Sequence, residues 1–130
     1  MVHHPSFYAR ILKEKITRYG VNCWLLNTGW VGGPYGIGKR ISIRYTRSLL
    51  NALLDGDLSR VEYTIDPVFG FRVPKSCPGI PDEVLNPASS WKNQDEYMRK
   101  YLTLASRFID NMKKFEDSTP SEVVNAGPKI

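Results

Sequence analysis

The apolar residues near the start of the chain recur at helical spacing. Charged residues fall on the other sides of this helix. The apolar residues that share one side are Tyr8, Ile11, Leu12, Ile16 and Tyr19. Pro5 suits the first turn of this helix, and Gly20 suits the left-handed position after its last turn. The pattern therefore predicts a helix over residues 4–19.

Two shorter patterns that follow are typical of strands. Residues 21–26 form an apolar run whose length favours a buried strand, with Cys23 as a small buried hydrophobe. Residues 39–44 alternate between apolar and polar positions, which predicts a half-buried strand. The glycine-rich residues 27–38 between them are predicted to form a loop.

A second helix is predicted directly after the alternating segment. Thr46 is the predicted N-cap, the helix runs to about Asp55, and Gly56 ends it. Its predicted buried face consists of Leu49, Leu50, Leu53 and Leu54.

Residues 61–87 contain more proline than the rest of the chain. Their first five residues alternate as in a strand, and five prolines then interrupt any long element. This proline-rich segment is predicted to be extended, with short pieces of strand, and to lie over another surface.

The longest helix is predicted to begin after Asn93, because Glu96 three positions later completes a capping box. Its predicted buried stripe consists of Tyr97, Tyr101, Leu104, Ala105, Phe108, Met112 and Phe115. Residues 119–122, Thr-Pro-Ser-Glu, form a second capping-box pattern with a proline near the helix start. They predict a short last helix that reaches Ala126.

The length of the chain allows one domain at most. Its 130 residues are 42% hydrophobic and contain no apolar run long enough to cross a membrane, so no membrane partner is expected. Two cysteines are too few for a disulfide framework, and no His, Cys or carboxylate spacing indicates a metal site.

Positive charge is concentrated in the first half of the chain. Residues 1–60 hold nine Lys and Arg against three Asp and Glu, and residues 61–130 hold nine against ten. The densest part consists of Lys39, Arg40, Arg44 and Arg47. This cluster favours an anionic partner such as phosphate or nucleic acid, although a solvated basic face is the alternative.

The glycine-rich loop partly matches a phosphate-binding loop. From Gly33 to Lys39 it fits the pattern G-x-x-x-x-G-K, but Arg40 stands where a magnesium-binding Ser or Thr is needed. It also leads into a predicted strand, whereas a phosphate loop leads into a helix. We therefore do not expect this loop to cradle phosphates.

The same loop could still contact a nucleotide. Arg40 can pair with phosphate oxygens or stack on a base, and the backbone amide and carbonyl of Ile41 can contact a purine edge. Thr46 offers a hydroxyl at a predicted helix start. A structural turn with a basic rim is the alternative.

Several motifs together resemble a known family over essentially the whole chain. They are Asn27-Thr28-Gly29-Trp30, Gly32-Gly33-Pro34-Tyr35-Gly36, Gly38-Lys39-Arg40-Ile41-Ser42-Ile43, Tyr45-Thr46-Arg47, Asp66-Pro67-Val68-Phe69-Gly70 and Val73-Pro74-Lys75-Ser76-Cys77-Pro78-Gly79. The combination resembles the C-terminal part of the ATP-dependent phosphoenolpyruvate carboxykinases.

The resemblance implies a fold, a reaction and a site. The fold would be the C-terminal fragment of a mixed α/β nucleotide-binding domain of the P-loop carboxykinase type, covering residues 1–130. The enzyme would be a gluconeogenic lyase of the cytoplasm that converts oxaloacetate and ATP to phosphoenolpyruvate, CO₂ and ADP. The family's contacts to the adenine and ribose end of ATP map to Arg40, Ile41 and Thr46.

The resemblance also implies what lies elsewhere. The family uses Mg²⁺ with the nucleotide and a second ion, Mn²⁺, and its metal ligands, phosphate loop and substrate arginines lie upstream in full-length members. We therefore expect no catalytic or metal-binding residue here, an isolated chain without activity, and two partners: ATP or ADP and the remainder of the carboxykinase chain.

Two other functions remain as alternatives at this point. The chain could be a stand-alone module that binds a nucleotide without catalysis. Basic residues 39–47 beside Trp30, Tyr35 and Tyr45 could also bind single-stranded nucleic acid, although the resemblance favours ATP.

Overall fold

The first helix begins and ends at its local signals. The computed structural model describes residues 2–130, and α1 spans Pro5–Tyr19. The His4 ring accepts a hydrogen bond from the Ser6 amide at its start, at 3.4 Å. Gly20 takes up the left-handed conformation after its last turn, with φ 58°. The prediction of this helix is confirmed.

The predicted strand at residues 21–26 is wrong. These residues have no regular secondary structure, and within residues 2–130 no strand pairs with them. A strand needs a neighbour for its amides and carbonyls, and the apolar pattern alone does not supply one. Cys23 is exposed rather than buried, and Trp24 contacts the chain through the Tyr63 ring, with 6.3 Å between centroids.

The glycine-rich loop lies inside a small hairpin. Strand β1 (Trp30–Val31) pairs antiparallel with β2 (Lys39–Arg40), so the predicted loop includes a short strand. The strand predicted at residues 39–44 ends at Arg40, because helix α2 (Ile43–Leu54) takes over its last residues.

Helix α2 is capped by Ser42 and not by Thr46 as predicted. The Ser42 hydroxyl accepts from the Tyr45 amide at 3.2 Å, while Thr46 lies inside the first turn and its amide donates to the Ser42 carbonyl. Serine and threonine are both good caps. Ser42 is the cap because its hydroxyl reaches the Tyr45 amide, which has no bonding partner within the helix.

The predicted leucine face of α2 is only partly buried. Leu49 is buried and Leu53 is half-buried, but Leu50 and Leu54 are exposed. Ala52 is the other buried residue of this helix. The helix therefore packs along a narrower stripe than its sequence allows.

A second hairpin forms within the proline-rich segment. Strand β3 (Tyr63–Ile65) pairs antiparallel with β4 (Arg72–Pro74), preceded by a 3₁₀ turn at Asp57–Arg60. Pro74 is the last residue of β4. Proline has no amide hydrogen, and the end of an edge strand is a position where a sheet tolerates this. The prediction of short strand pieces here is confirmed.

Four α-helices follow the second hairpin in the described residues, with a 3₁₀ turn at Glu116–Ser118 before the last of them. They are α3 (Asp82–Leu85), α4 (Pro87–Ser90), α5 (Gln94–Met112) and α6 (Ser121–Asn125). The predicted cap of α5 is confirmed, since Asn93 Oδ1 accepts from the Glu96 amide at 3.0 Å. The last helix is also confirmed, ending one residue before Ala126.

The predicted stripe of α5 is mostly not buried. Ala105 is fully buried, but Leu104 and Phe108 are 47% and 54% exposed. Helical spacing places these side chains on one face, yet the described residues cover only part of that face.

The core is small and sits beside α2. It consists of Leu49, Ala52, Leu58, Cys77 and Ile80, flanked by half-buried neighbours from α2, α3 and the start of the proline-rich segment. Helices and two small antiparallel sheets make this a mixed α/β chain. In the described part of the chain, no helix has both the length and the apolar character to cross a membrane.

Candidate functional site

The hairpin β1–β2 brings the predicted nucleotide-contacting residues to one edge of the molecule. Arg40 ends β2 with its side chain exposed, and Ile41 follows it half-buried. Thr46 is half-buried in the first turn of α2, five residues after Ile41. All three lie within seven consecutive residues, from the end of the hairpin to the first turn of this helix.

The backbone of the hairpin is closed by its own hydrogen bonds. The Ile41 amide donates to the Gly29 carbonyl at 3.0 Å, and the Gly38 amide donates to the Pro34 carbonyl at 2.9 Å. The Ile41 amide is therefore already used, and only its carbonyl is left to contact a purine edge. The Thr46 hydroxyl likewise donates to the Ser42 carbonyl, at 3.3 Å.

Two glycines allow the loop to fold tightly on itself. A Cβ at Gly38 would overlap the Gly33 carbonyl oxygen and lie 2.8 Å from the Val31 carbonyl oxygen. A Cβ at Gly33 would lie 2.9 Å from Ile37 Cγ2, and the Gly33 backbone has φ 155°. The sequence pattern that resembles a phosphate loop is therefore explained by the packing of a hairpin turn.

The connectivity of this loop also differs from that of a phosphate loop. It joins two antiparallel strands, whereas a phosphate loop joins a strand to the N-terminus of a helix. Its amides do not converge on a helix end, which agrees with our expectation that it does not cradle phosphates.

Positive charge surrounds this edge without carboxylate partners. The side chains of Lys39, Arg40, Arg44 and Arg47 are exposed. Three ion pairs occur within residues 2–130, and none of them includes these four residues. Helix α2 has no acidic residue in its first turn, so its dipole adds to the positive potential there. The edge is suited to an anion.

Ser90 holds the hairpin against the rest of the chain. Its hydroxyl accepts a hydrogen bond from the Gly32 amide at 3.1 Å and donates to the Pro87 carbonyl at 2.7 Å. Sequence analysis missed Ser90, because a contact across 58 positions leaves no local signal.

Comparison with known proteins identifies the family of this chain. The family model described as phosphoenolpyruvate carboxykinase, of the ATP-dependent type, matches residues 1–83. The chain belongs to the ATP-dependent phosphoenolpyruvate carboxykinase family. The matched residues include the whole glycine-rich hairpin and α2.

Individual carboxykinases match almost the entire chain. Phosphoenolpyruvate carboxykinase (ATP) of Caldanaerobacter subterraneus subsp. tengcongensis is 50% identical over 125 residues, which is 96% of this chain. The proteins of the same name from Alkaliphilus oremlandii and Dictyostelium discoideum are 47% identical over 100% of the chain and 43% identical over 98%. The chain spans 23–24% of the length of these three carboxykinases.

The side chains of this carboxykinase segment do not form a metal site within the described residues. Residues 2–130 hold no group of three or more His, Cys, Asp and Glu placed to bind a metal ion. The Mg²⁺ and Mn²⁺ that the family resemblance implies therefore do not fit a site within the described residues.

One cleft of this segment lies away from the hairpin. It has a volume of about 470 Å³ and is bounded by β3, β4, α3, α4 and the start of α5. Asp66 and Tyr101 in its wall are hydrogen-bonded to each other, at 2.5 Å. Neither Arg40, Ile41 nor Thr46 lines it, so the cleft and the predicted nucleotide contacts are separate features.

Proposed function

We propose that this chain forms the adenine and ribose side of the ATP site of a phosphoenolpyruvate carboxykinase. The complete enzyme converts oxaloacetate and ATP to phosphoenolpyruvate, CO₂ and ADP, as a gluconeogenic lyase of the cytoplasm. The observation that supports this role is the unpaired basic edge at Arg40, which lies within the residues that match the family.

The three predicted residues have distinct roles in this proposal. The Arg40 guanidinium pairs with the anionic nucleotide or stacks on its base. The Ile41 carbonyl accepts from the exocyclic amine of adenine, since its amide is bonded to Gly29. The Thr46 hydroxyl contacts the ribose, which requires its bond to the Ser42 carbonyl to be shared or exchanged.

Phosphoryl transfer itself is assigned to the remainder of the carboxykinase chain. Transfer of a phosphoryl group depends on positioned charges and metal ions around the phosphates. Within the described residues no carboxylate or histidine cluster and no phosphate-cradling loop supports that role. The proposal therefore gives these residues the binding of the base and sugar, and no catalytic step.

A hybrid enzyme tests the proposal. In it, these 130 residues replace the corresponding quarter of the Caldanaerobacter carboxykinase, and formation of phosphoenolpyruvate from oxaloacetate and ATP is measured. We expect turnover by the hybrid and none by the 130-residue chain alone. Arg40→Ala should raise the KM for ATP about tenfold or more, because a charge-assisted bond contributes about 1.5–3 kcal/mol.

Arg107→Ala is the matched control, since Arg107 is exposed on α5 and takes part in none of the ion pairs of residues 2–130. Its KM for ATP should equal that of the unchanged hybrid. An Arg40→Ala hybrid with unchanged KM would overturn the proposal. Tight ATP binding by the isolated chain, without turnover in the hybrid, would favour the stand-alone binding module instead.

A further inference from the structure

Two aromatic side chains stand exposed beside Arg40. Trp30 is 51% exposed and Tyr35 is 88% exposed, and their rings meet edge to face with centroids 5.4 Å apart. Trp30 lies directly opposite Arg40 in the register of the hairpin. Directly opposite residues of an antiparallel pair project from the same face, so one face carries Trp30 and Arg40, and Tyr35 through its contact with Trp30.

The other face of this hairpin is partly covered by the chain. Val31 and Lys39 form the second opposite pair, in which Val31 is half-buried and Lys39 is exposed. The Gly32 amide beside Val31 is bonded to Ser90, which fixes the position of the loop. The exposed rings of Trp30 and Tyr35 therefore lie on a turn that is attached to Ser90.

We propose that Trp30 and Tyr35 bind the purine base of the nucleotide and set the preference of the site for that base. This inference rests on the proposed function and extends it to two residues outside the Arg40, Ile41 and Thr46 set. Aromatic side chains bind bases through their flat faces, and a guanidinium alongside attracts the negative charge of the same ligand. A nucleotide supplies both a flat ring and an anion.

A purine base fits this face better than an apolar protein surface. Burying Trp30 and Tyr35 under an apolar surface would also cover Arg40, which has no carboxylate partner among the described ion pairs. Burying an unpaired charge is strongly unfavourable. A nucleotide covers the rings and gives the guanidinium an anion at the same time.

The test uses the hybrid enzyme and calorimetric binding of ATP, GTP and inorganic tripolyphosphate. Trp30→Ala and Tyr35→Ala should each weaken ATP binding about tenfold or more and reduce the preference for ATP over GTP. Binding of tripolyphosphate should stay within twofold, because it has no base. Trp30→Phe, which keeps a flat ring, should recover most of the ATP affinity. Tyr19→Ala, at the exposed end of α1, is the control and should leave all three affinities unchanged.

The outcomes separate this inference from the proposed function. If Arg40→Ala weakens ATP binding while Trp30→Ala and Tyr35→Ala do not, the inference fails and the proposed function stands. An equal loss of ATP and tripolyphosphate in the aromatic variants means damage to the fold, and also overturns the inference. Unchanged ATP binding in all three variants overturns both.

Discussion

Asp66 collects hydrogen bonds from two parts of the molecule. Its Oδ1 accepts from the amides of Val68 and Phe69, at 3.1 and 2.7 Å, which shapes the turn between β3 and β4. The same oxygen accepts from the Tyr101 hydroxyl of α5 at 2.5 Å. One carboxylate thus fixes both the turn and its attachment to the longest helix.

The Tyr101 phenol should make the stability of this segment within the hybrid enzyme fall in alkaline solution. Burial, together with the hydrogen bond to Asp66, raises the pKa of Tyr101. The folded chain therefore keeps this proton when the unfolded chain loses it, near pH 10. Its contribution is complete below that pH and is lost as the pH rises towards the higher folded pKa.

Urea unfolding of the hybrid enzyme at pH 7, 9 and 11 measures this effect. Tyr101→Phe should lower the free energy of unfolding at pH 7 by about 1–3 kcal/mol, through loss of the bond to a charged acceptor. It should also reduce the fall between pH 9 and 11. Tyr97→Phe is the comparison. Burial and the Asp66 carboxylate also raise the pKa of Tyr97, so this variant should lose part of the alkaline fall and keep the part that is due to Tyr101. An alkaline fall of unchanged size in Tyr101→Phe would contradict the assignment.

Single residues also mark how far the sequence could be interpreted. Asn93 and Gly20 act through neighbours a few positions away, so their capping roles could be predicted. Ser42 and Thr46 are both good caps, and only the structure distinguishes them. The Asp66 to Tyr101 bond spans 35 positions and has no local signal.

Among the elements, the hairpin β1–β2 depends most on a distant contact. It has only two opposite residue pairs, and a two-stranded hairpin of this length is marginal in water. The bond from the Gly32 amide to Ser90 adds an attachment to α4. The position of Arg40 therefore depends on a serine 50 residues later in the chain.

Ser90→Ala should loosen this hairpin. We expect faster hydrogen exchange at the Gly32 amide and weaker ATP binding by the hybrid, with a loss of about 0.5–1.5 kcal/mol for the missing bond. Ser89→Ala is the matched control, since the Ser89 hydroxyl bonds only to the Asn86 carbonyl of its own turn, at 2.8 Å. Equal exchange rates at Gly32 in the two variants would show that Ser90 does not hold the loop.

Helices were predicted better than strands for a physical reason. The hydrogen bonds of α1 and α5 close within each helix, so spacing and caps predict them. Strands need partners, and residues 21–26 have none within the described chain. Burial is equally non-local, which is why the stripe of α5 was predicted in position but not in exposure.

The molecule as a whole exposes far more surface than its mass requires. Its accessible area is 10166 Å², whereas a folded monomer of this mass exposes about 7,000 Å². The excess of about 3,000 Å² exceeds what one partner of a standard interface buries, about 800 Å². Large apolar side chains of α1, residues 21–26, α2 and α5 contribute to it.

Joining the chain to the rest of the carboxykinase should cover this surface. We expect the isolated chain to bind an apolar dye strongly and to self-associate, and the hybrid to do neither. Dye fluorescence and sedimentation at matched molar concentration measure the difference. A monomeric isolated chain with weak dye binding and a sharp thermal transition would contradict this expectation.

The two cysteines differ in exposure, so selective labelling of one of them can report on assembly. Cys23 is exposed within residues 21–26, whereas Cys77 is buried in the core and burial raises the pKa of its thiol. A thiol-directed fluorophore at neutral pH should therefore modify Cys23 first. Protection of that single site would then follow, in real time, the moment at which a complementary polypeptide closes over this segment.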